Sequence, residues 1–207
     1  MLYYYNCIKE TNNRLVKMIQ NILLCGVGGQ GILLAAKVIA AAAVKSGFEV
    51  TTNEIHGMAQ RGGSVTALVR YGEKVFSPLF RAGQADVLAS MEASEALRHA
   101  HWLRSDGLAA VSTQRLIPVT VSSGKAKYPA DLDDRLARAF SRLDYIDCQA
   151  EALKLGDARM ANTILLGALS KGLDGLPPEV WDEAIKACVK PQFVDKNLAA
   201  FHAGRKE

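Results

Sequence analysis

The sequence has little cysteine, and its cysteines are not spaced as metal ligands. The four residues are Cys7, Cys25, Cys148 and Cys188, and none of them forms a C-x-x-C pair. This spacing is not typical of an iron–sulfur cluster or a structural zinc site. Cys25 and Cys148 fall at predicted strand positions, where a buried thiol behaves as a small hydrophobe. We therefore expect no metal site in this chain, and a reducing cytoplasm as its compartment.

Long apolar runs and basic stretches are also missing. The longest apolar run, residues 32–44, is interrupted by Lys37 and is shorter than the roughly 20 residues that span a membrane. The 25 basic and 21 acidic residues are spread along the chain, and no basic run is interleaved with aromatic residues. The net charge of +4 favours anionic ligands only mildly. We expect no membrane span and no nucleic-acid partner.

The chain has neither a linker nor an internal repeat. Residues 1–17 lack the order of basic and then apolar residues that marks a signal peptide, and we expect them to form a poorly ordered extension. Residues 18–207 suit one α/β domain, which at this length can bury roughly 70% of the surface of the unfolded chain. One domain with one sheet is the simplest expectation.

The most informative stretch begins with an apolar strand that runs into glycines. Gly26, Gly28 and Gly31 fit the pattern G-x-G-x-x-G, with Gly29 and Gln30 between them. Such a turn lets backbone N–H groups and a helix N-terminus approach an anion, usually a phosphate. A tight turn that merely packs closely gives the same pattern, so both interpretations stay open.

An alanine-rich helix is predicted after this turn, over residues 30–46, with Gly47 as its C-terminal stop. It is apolar nearly all round, so it should be buried both by its own sheet and by a second element. That second element is in this chain or in another one.

A second strand is predicted at residues 48–52, and a polar loop rich in glycine follows it. Ligands of open α/β sheets bind beside the carboxyl ends of strands, where this loop and the glycine turn meet. Arg61 could hold a phosphate or carboxylate there, although it could equally pair with a neighbouring carboxylate on the surface. The candidate residues of the loop are Glu54, His56, Gln60, Arg61, Gly62 and Gly63.

The next segment departs from a dinucleotide-binding fold. Residues 64–71 alternate as a strand, and residues 74–76 are expected to return as the second strand of a β-hairpin. Strand and helix signals then alternate until three helical segments close the chain. The predicted fold is a three-layer Rossmann-like α/β domain, in which a mostly parallel sheet carries a β-hairpin insertion and a helical C-terminal region follows.

Several segments together resemble a known family. They are GVGGQGILLAAKVIAAAA, EIHGMAQRGGSV, SPLF, ADVLASMEASEALR, ANTILLGAL and NLAAFHAGR. The chain resembles the gamma-type domain of the 2-oxoacid:ferredoxin oxidoreductase family over residues 18–205, and EIHGMAQRGGSV is similar to the branch that acts on indolepyruvate and other arylpyruvates.

The resemblance implies one subunit of a two-subunit enzyme. Such an enzyme decarboxylates an aryl 2-oxoacid, transfers the acyl group to coenzyme A and reduces ferredoxin. Thiamine diphosphate, magnesium and the 4Fe-4S clusters are expected on the larger (alpha) subunit, so this chain alone should be inactive. The resemblance implies no catalytic residue here. It implies that residues 26 and 28–31 offer backbone groups to coenzyme A, while Glu54, His56, Gln60 and Arg61 face the ligand or the large subunit.

Two other functions stay open from the sequence. One is a stand-alone nucleotide- or dinucleotide-binding oxidoreductase that uses the glycine turn for pyrophosphate and Glu54 for a ribose. The expected hairpin argues against it. The other is a purely structural partner whose glycine edge contacts protein. Without its large subunit, we expect the chain to form a homodimer.

Overall fold

The computed structural model describes residues 19–56, 63–117, 121, 124 and 127–206. The extension predicted at residues 1–17 lies outside the described residues, as do Gln60, Arg61 and Gly62. No helix in the described ranges is long and apolar enough to cross a membrane. The strands and α-helices are β1 (Ile19–Val27), α1 (Ile32–Lys45), β2 (Glu49–His56), β3 (Ser64–Gly72), β4 (Ala85–Ser90), α2 (Ala93–His99), β5 (Leu103–Ser112), α3 (Leu132–Ala139), β6 (Arg142–Ile146), α4 (Cys148–Lys154), α5 (Ala161–Ser170), α6 (Pro178–Cys188) and α7 (Val194–Arg205).

The six strands form one sheet in the order β2-β3-β1-β4-β5-β6. β1, β4, β5 and β6 are parallel neighbours, whereas β3 is antiparallel to both β1 and β2. Five strands therefore run in one direction and only β3 opposes them. The prediction of a mostly parallel α/β sheet with an inserted hairpin is confirmed.

The partner strand in the hairpin is different from the predicted one. β3 pairs along its length with β2 on one side and β1 on the other. Both of its edges are occupied, so residues 74–76 have no edge to which they could return. They are not a strand: Val75 N donates to Glu49 Oε2 at 2.9 Å, and Phe76 is 87% exposed. The hairpin consists of β2 and β3.

β2 is longer than predicted, because the polar residues after Thr52 continue the strand. Asn53, Glu54, Ile55 and His56 pair with residues 65–68 of β3. β2 is an edge strand, so polar side chains can stay in solvent while the backbone pairs on one side. Glu54 and His56 therefore belong to a strand, whereas the sequence predicts them in a loop.

The helices cover the two faces of the sheet as separate layers. Alternate residues of β1 point to opposite faces: Ile22 and Leu24 join the larger apolar cluster, and Leu23 and Cys25 join the smaller one. The larger cluster holds residues of α1, α5, α6 and α7, and the smaller one holds residues of α2 and α3. This is the predicted three-layer arrangement.

α1 lies where the sequence places it, and this chain covers it. Gly47 has a φ of +85° and ends the helix, as predicted. The second element over α1 is α6, which is joined to it by Lys45 Nζ and Glu183 Oε2 at 2.9 Å. A second chain is not needed to bury most of this helix, although Leu33 and Val44 remain 39% and 62% exposed.

The buried cysteines are apolar in behaviour. Cys25 lies on β1 as predicted, but Cys148 opens α4 instead of ending a strand, because Asp147 accepts a hydrogen bond from Ala150 N and caps the helix. Burial raises the pKa of each thiol to about 12. Both therefore stay protonated at neutral pH and are poor nucleophiles and metal ligands.

Candidate functional site

The candidate site lies at the edge where the parallel strands end. β1, β4 and β5 end at Val27, Ser90 and Ser112, and their parallel pairing brings these ends together. The glycine turn and α1 follow β1 directly. Ligands of open α/β sheets bind at this edge, as the sequence predicts for this chain.

The glycine turn requires glycine at two positions for its backbone conformation. Gly29 and Gly31 have φ values of +98° and +80°, in the left-handed region that other residues avoid. Gly31 is the N-cap of α1; no side chain caps this helix, and its first turn carries no acidic residue. The N–H groups at the start of α1, with the positive end of its dipole, can therefore serve an anion.

The turn contacts the end of the predicted loop. Gly28 N donates to Gly63 O at 2.9 Å, and the next residue, Ser64, donates from Oγ to Glu95 Oε2 at 2.5 Å. Gly63 thus lies beside the glycine turn, as predicted. Gln60, Arg61 and Gly62 were predicted beside it too, but they lie outside the described residues.

Glu54 and His56 lie further from the turn. Val65 of β3 pairs with Gly26 on one side and with His56 on the other, so the inserted strand separates them by about 10 Å. Glu54 pairs with Ala67, two residues further from the strand end, and its side chain is exposed. An acid that binds the ribose of a dinucleotide should lie beside the glycine turn. Here β3 lies between Glu54 and the turn.

Gln30 is predicted to offer a backbone group to a ligand, and its side chain is engaged within the protein. Its Oε1 accepts from Val27 N at 2.6 Å. Its Nε2 donates to Met91 O at 3.1 Å and to Gln114 Oε1 at 2.9 Å. One side chain therefore connects the ends of β1, β4 and β5. Gly26 leaves room for it, since a Cβ there would lie 2.7 Å from Gln30 Oε1.

A cavity of about 250 Å³ opens in front of the turn, and we call it the polar cleft. Besides Gly29, Gln30 and Gly31, it is lined by polar side chains that the sequence did not single out. These are Gln114, Gln149, Arg159 and Asn162. The rule that ligands bind at strand ends could have found Gln114, which follows β5. No comparable signal marks Arg159 or Asn162, which come from the helical C-terminal region.

A second cavity of about 330 Å³ adjoins the polar cleft, since Arg159 and Asn162 line both. Its wall is mainly apolar and includes Leu34, Met160 and Phe193. Together, the two cavities can take an elongated ligand with an anionic part and a less polar part.

Arg159 is the cation of the polar cleft. Its Nε and Nη2 donate to the two carboxylate oxygens of Asp157 at 2.9 and 2.6 Å, and its guanidinium lies 4.8 Å from the centre of the Phe193 ring. These hydrogen bonds hold the pKa of Asp157 well below its usual range. In the described part of the chain, Arg159 Nη1 has no acceptor, so it can donate to a ligand.

Two buried acids stabilise the surroundings of the site. Glu92, only 1% exposed, accepts hydrogen bonds from Ser94, Glu95 N, Leu116 N and Tyr128. Burial would raise the pKa of Glu95, but His99 Nε2 at 3.7 Å, the hydrogen bond from Ser64 and the charge of Arg98 hold it below the usual value. Both acids are satisfied by protein donors, and this arrangement suits a scaffold better than proton transfer. Among the described residues, no three His, Cys, Asp or Glu are grouped to hold a metal ion.

Comparisons with known proteins agree with this fold. The family described as pyruvate ferredoxin/flavodoxin oxidoreductase matches residues 21–207. Indolepyruvate oxidoreductase subunit IorB of Thermococcus kodakarensis is 39% identical over 191 residues, or 90% of this chain and 94% of the relative. The subunit of the same name from Archaeoglobus fulgidus is 41% identical over 189 residues, or 89% and 92%.

A solved structure has the same fold within a longer chain. The 2-oxoglutarate:ferredoxin oxidoreductase from Magnetococcus marinus, with 2-oxoglutarate, coenzyme A and succinyl-CoA bound, matches with a TM-score of 0.69 and 18% identity. The match covers 91% of this chain and 31% of the other. With the family match over nearly the whole chain, this protein belongs to the pyruvate ferredoxin/flavodoxin oxidoreductase family, as a subunit of a 2-oxoacid:ferredoxin oxidoreductase.

Proposed function

We propose that the chain is the small (beta) subunit of an indolepyruvate:ferredoxin oxidoreductase. The enzyme would decarboxylate arylpyruvates oxidatively, form the aryl-acyl-CoA and reduce ferredoxin. The observation that carries this proposal is the identity of 39–41%, over about nine-tenths of both chains, with subunits named for indolepyruvate. The segment EIHGMAQRGGSV, at residues 54–65, favours the same branch.

The chemistry of decarboxylation would belong to the large subunit. Thiamine diphosphate with magnesium would supply the carbanion chemistry there, and 4Fe-4S clusters would carry the electrons. The described residues of this chain do not fit either group, because Cys25 and Cys148 are buried with raised pKa values and no three ligands converge. The small subunit alone would be inactive.

The small subunit would contribute part of the coenzyme A site. The polar cleft supports this proposal, since it combines the start of α1 with Arg159 beside an apolar cavity. Backbone N–H groups and the guanidinium would bind phosphate oxygens, and the apolar wall would contact the rest of the molecule. The Magnetococcus marinus enzyme of the same fold was solved with coenzyme A bound.

The experiment that tests this function is reconstitution. The chain and its large subunit are produced separately and together, and reduction of a viologen dye is followed anaerobically with coenzyme A. We expect activity only when both chains are present, with a higher kcat/KM for indolepyruvate and phenylpyruvate than for pyruvate.

Two results would contradict the proposal. Full activity of the large subunit alone would leave the small subunit without a role, and a preference for pyruvate would exclude the arylpyruvate assignment. In the absence of the large subunit, we propose that the chain forms a homodimer, which sedimentation of the isolated chain tests.

A further inference from the structure

Backbone groups beside the polar cleft determine which atoms of the Gln30 side chain accept and which donate hydrogen bonds. Val27 N can only donate, so the atom of Gln30 that lies 2.6 Å from it must be the oxygen. The other atom of this amide is then the nitrogen, whose contact with Met91 O at 3.1 Å agrees, because a carbonyl only accepts. The orientation of Gln30 is therefore fixed at two points.

Gln30 in turn fixes the orientation of Gln114. The second N–H of Gln30 Nε2 donates to the Gln114 side chain at 2.9 Å, so the atom facing it must be Oε1. The backbone of Gln114 is held as well: its N donates to Ser112 Oγ at 3.3 Å, and its O accepts from Ala93 N at 3.0 Å. A reversed amide would set two nitrogens against each other and lose the hydrogen bond.

This leaves the nitrogen of Gln114 for the cleft. Gln114 is only partly buried and lines the polar cleft, and within the described ranges no acceptor is paired with its Nε2. Arg159, which also lines the cleft, carries a positive charge and can only donate. The cleft is thus lined by donors from two sides, as suits a ligand group that only accepts, such as an ionised phosphate.

We infer that Gln114 is a specificity-determining residue of the polar cleft, and that Gln30 is a positioning residue that holds its N–H group toward the ligand. Gln114 would donate to a phosphate or pyrophosphate oxygen of coenzyme A. Gln30 would not touch the ligand. The inference rests on the proposed function, in which this cleft takes the phosphates of coenzyme A.

The test measures the Kd of coenzyme A by calorimetry on the two-subunit complex. Gln114→Met keeps the length of the side chain and removes the donor, so the Kd should rise about tenfold, as expected for one hydrogen bond to a charged group. The matched control is Gln84→Met, an exposed glutamine at the opposite edge of the sheet, where β4 begins. Its Kd should stay within about twofold of the wild type, well below the tenfold effect of losing that bond.

Gln30→Glu tests the positioning role. A carboxylate there cannot donate, so Gln114 would turn its nitrogen toward residue 30 and its oxygen toward the ligand. We expect a rise in Kd similar to that of Gln114→Met, and no further rise in the double variant, because both changes remove the same donor. Gln30→Met, which also cannot donate, serves if the charged variant does not fold.

The outcomes separate this inference from the proposed function. An unchanged Kd in Gln114→Met, or effects of the two positions that add fully in the double variant, would overturn the inference. If Arg159→Glu weakens binding in the same assay while Gln114→Met does not, only the inference fails. If neither variant changes the Kd, coenzyme A does not use this cleft, and the proposed site fails with the inference.

Discussion

Replacing Gly204 with alanine is expected to lower the free energy of unfolding by about 3 kcal/mol, at the upper end of the usual cost of overpacking. A Cβ at Gly204 on α7 would overlap the carbonyl oxygen of Ile164 on α5. Gly167 on α5 meets the carbonyl oxygen of Phe201 on α7 in the same way. Both contacts involve backbone, which cannot rotate away as a side chain would, so the two helices would have to separate.

The direction of this effect distinguishes packing from helix propensity. Alanine is the better helix former by about 1 kcal/mol, so propensity alone would make Gly204→Ala stabilising. Ala199→Gly at an exposed position of α7 is the matched control, and it should destabilise by about that amount. Urea unfolding of the wild type, Gly204→Ala and Ala199→Gly measures these changes in the free energy of unfolding. A Gly204→Ala variant as stable as the wild type would contradict the close packing of α5 and α7.

Arg159→Glu is expected to weaken the binding of coenzyme A to the two-subunit enzyme about 100-fold. One hydrogen-bonded arginine contributes roughly 1.5–3 kcal/mol to binding an anion, or about 10- to 100-fold, and the new carboxylate adds repulsion. The variant also removes the partner of Asp157, so its folding is checked by thermal unfolding. Arg159→Gln, which keeps a neutral donor, should show a smaller loss.

Arg138→Glu is the control for overall charge. Arg138 is exposed on α3, the helix that covers the opposite face of the sheet, and the substitution changes the net charge equally. We expect its Kd for coenzyme A to stay within about twofold of the wild type, because Arg138 does not line the cleft and salt screens an exposed charge. Equal effects of the two substitutions would mean that the charge of Arg159 acts without contact.

The features that the sequence predicted correctly depend on neighbours along the chain. The strand before Gly28, the turn with Gly29 and Gly31 at positive φ, and α1 with its stop at Gly47 all follow from local conformational preferences. The alternation of strand and helix segments also predicted the layers, because helices that connect parallel strands cover the faces of their sheet.

The predictions were wrong where the structure depends on strand pairing between residues that are far apart in the sequence. The return strand at residues 74–76 is absent because β1, whose first residues lie some 50 positions earlier, occupies the free edge of β3. β2 extends to His56 because β3 pairs with it. From their polarity alone, residues 53–56 are predicted to be part of a loop.

The candidate site was only partly predictable for the same reason. The sequence predicts the turn and its neighbour Gly63, which the structure brings together. Arg159 reaches the polar cleft only because α5 packs against the sheet, and no pattern within its own segment indicates this. Gln30 is predicted from its place in the motif to offer a backbone group to the ligand, but the motif does not predict the hydrogen bonds of its side chain with Val27, Met91 and Gln114.

A structure of the two-subunit enzyme with coenzyme A bound would test the proposed site most directly. We expect the phosphate groups of coenzyme A in the polar cleft, within hydrogen-bond distance of Arg159, Gln114 and the N–H groups at the start of α1. Coenzyme A held wholly by the large subunit, with the glycine turn covered by protein, would contradict the account and leave this chain a structural partner.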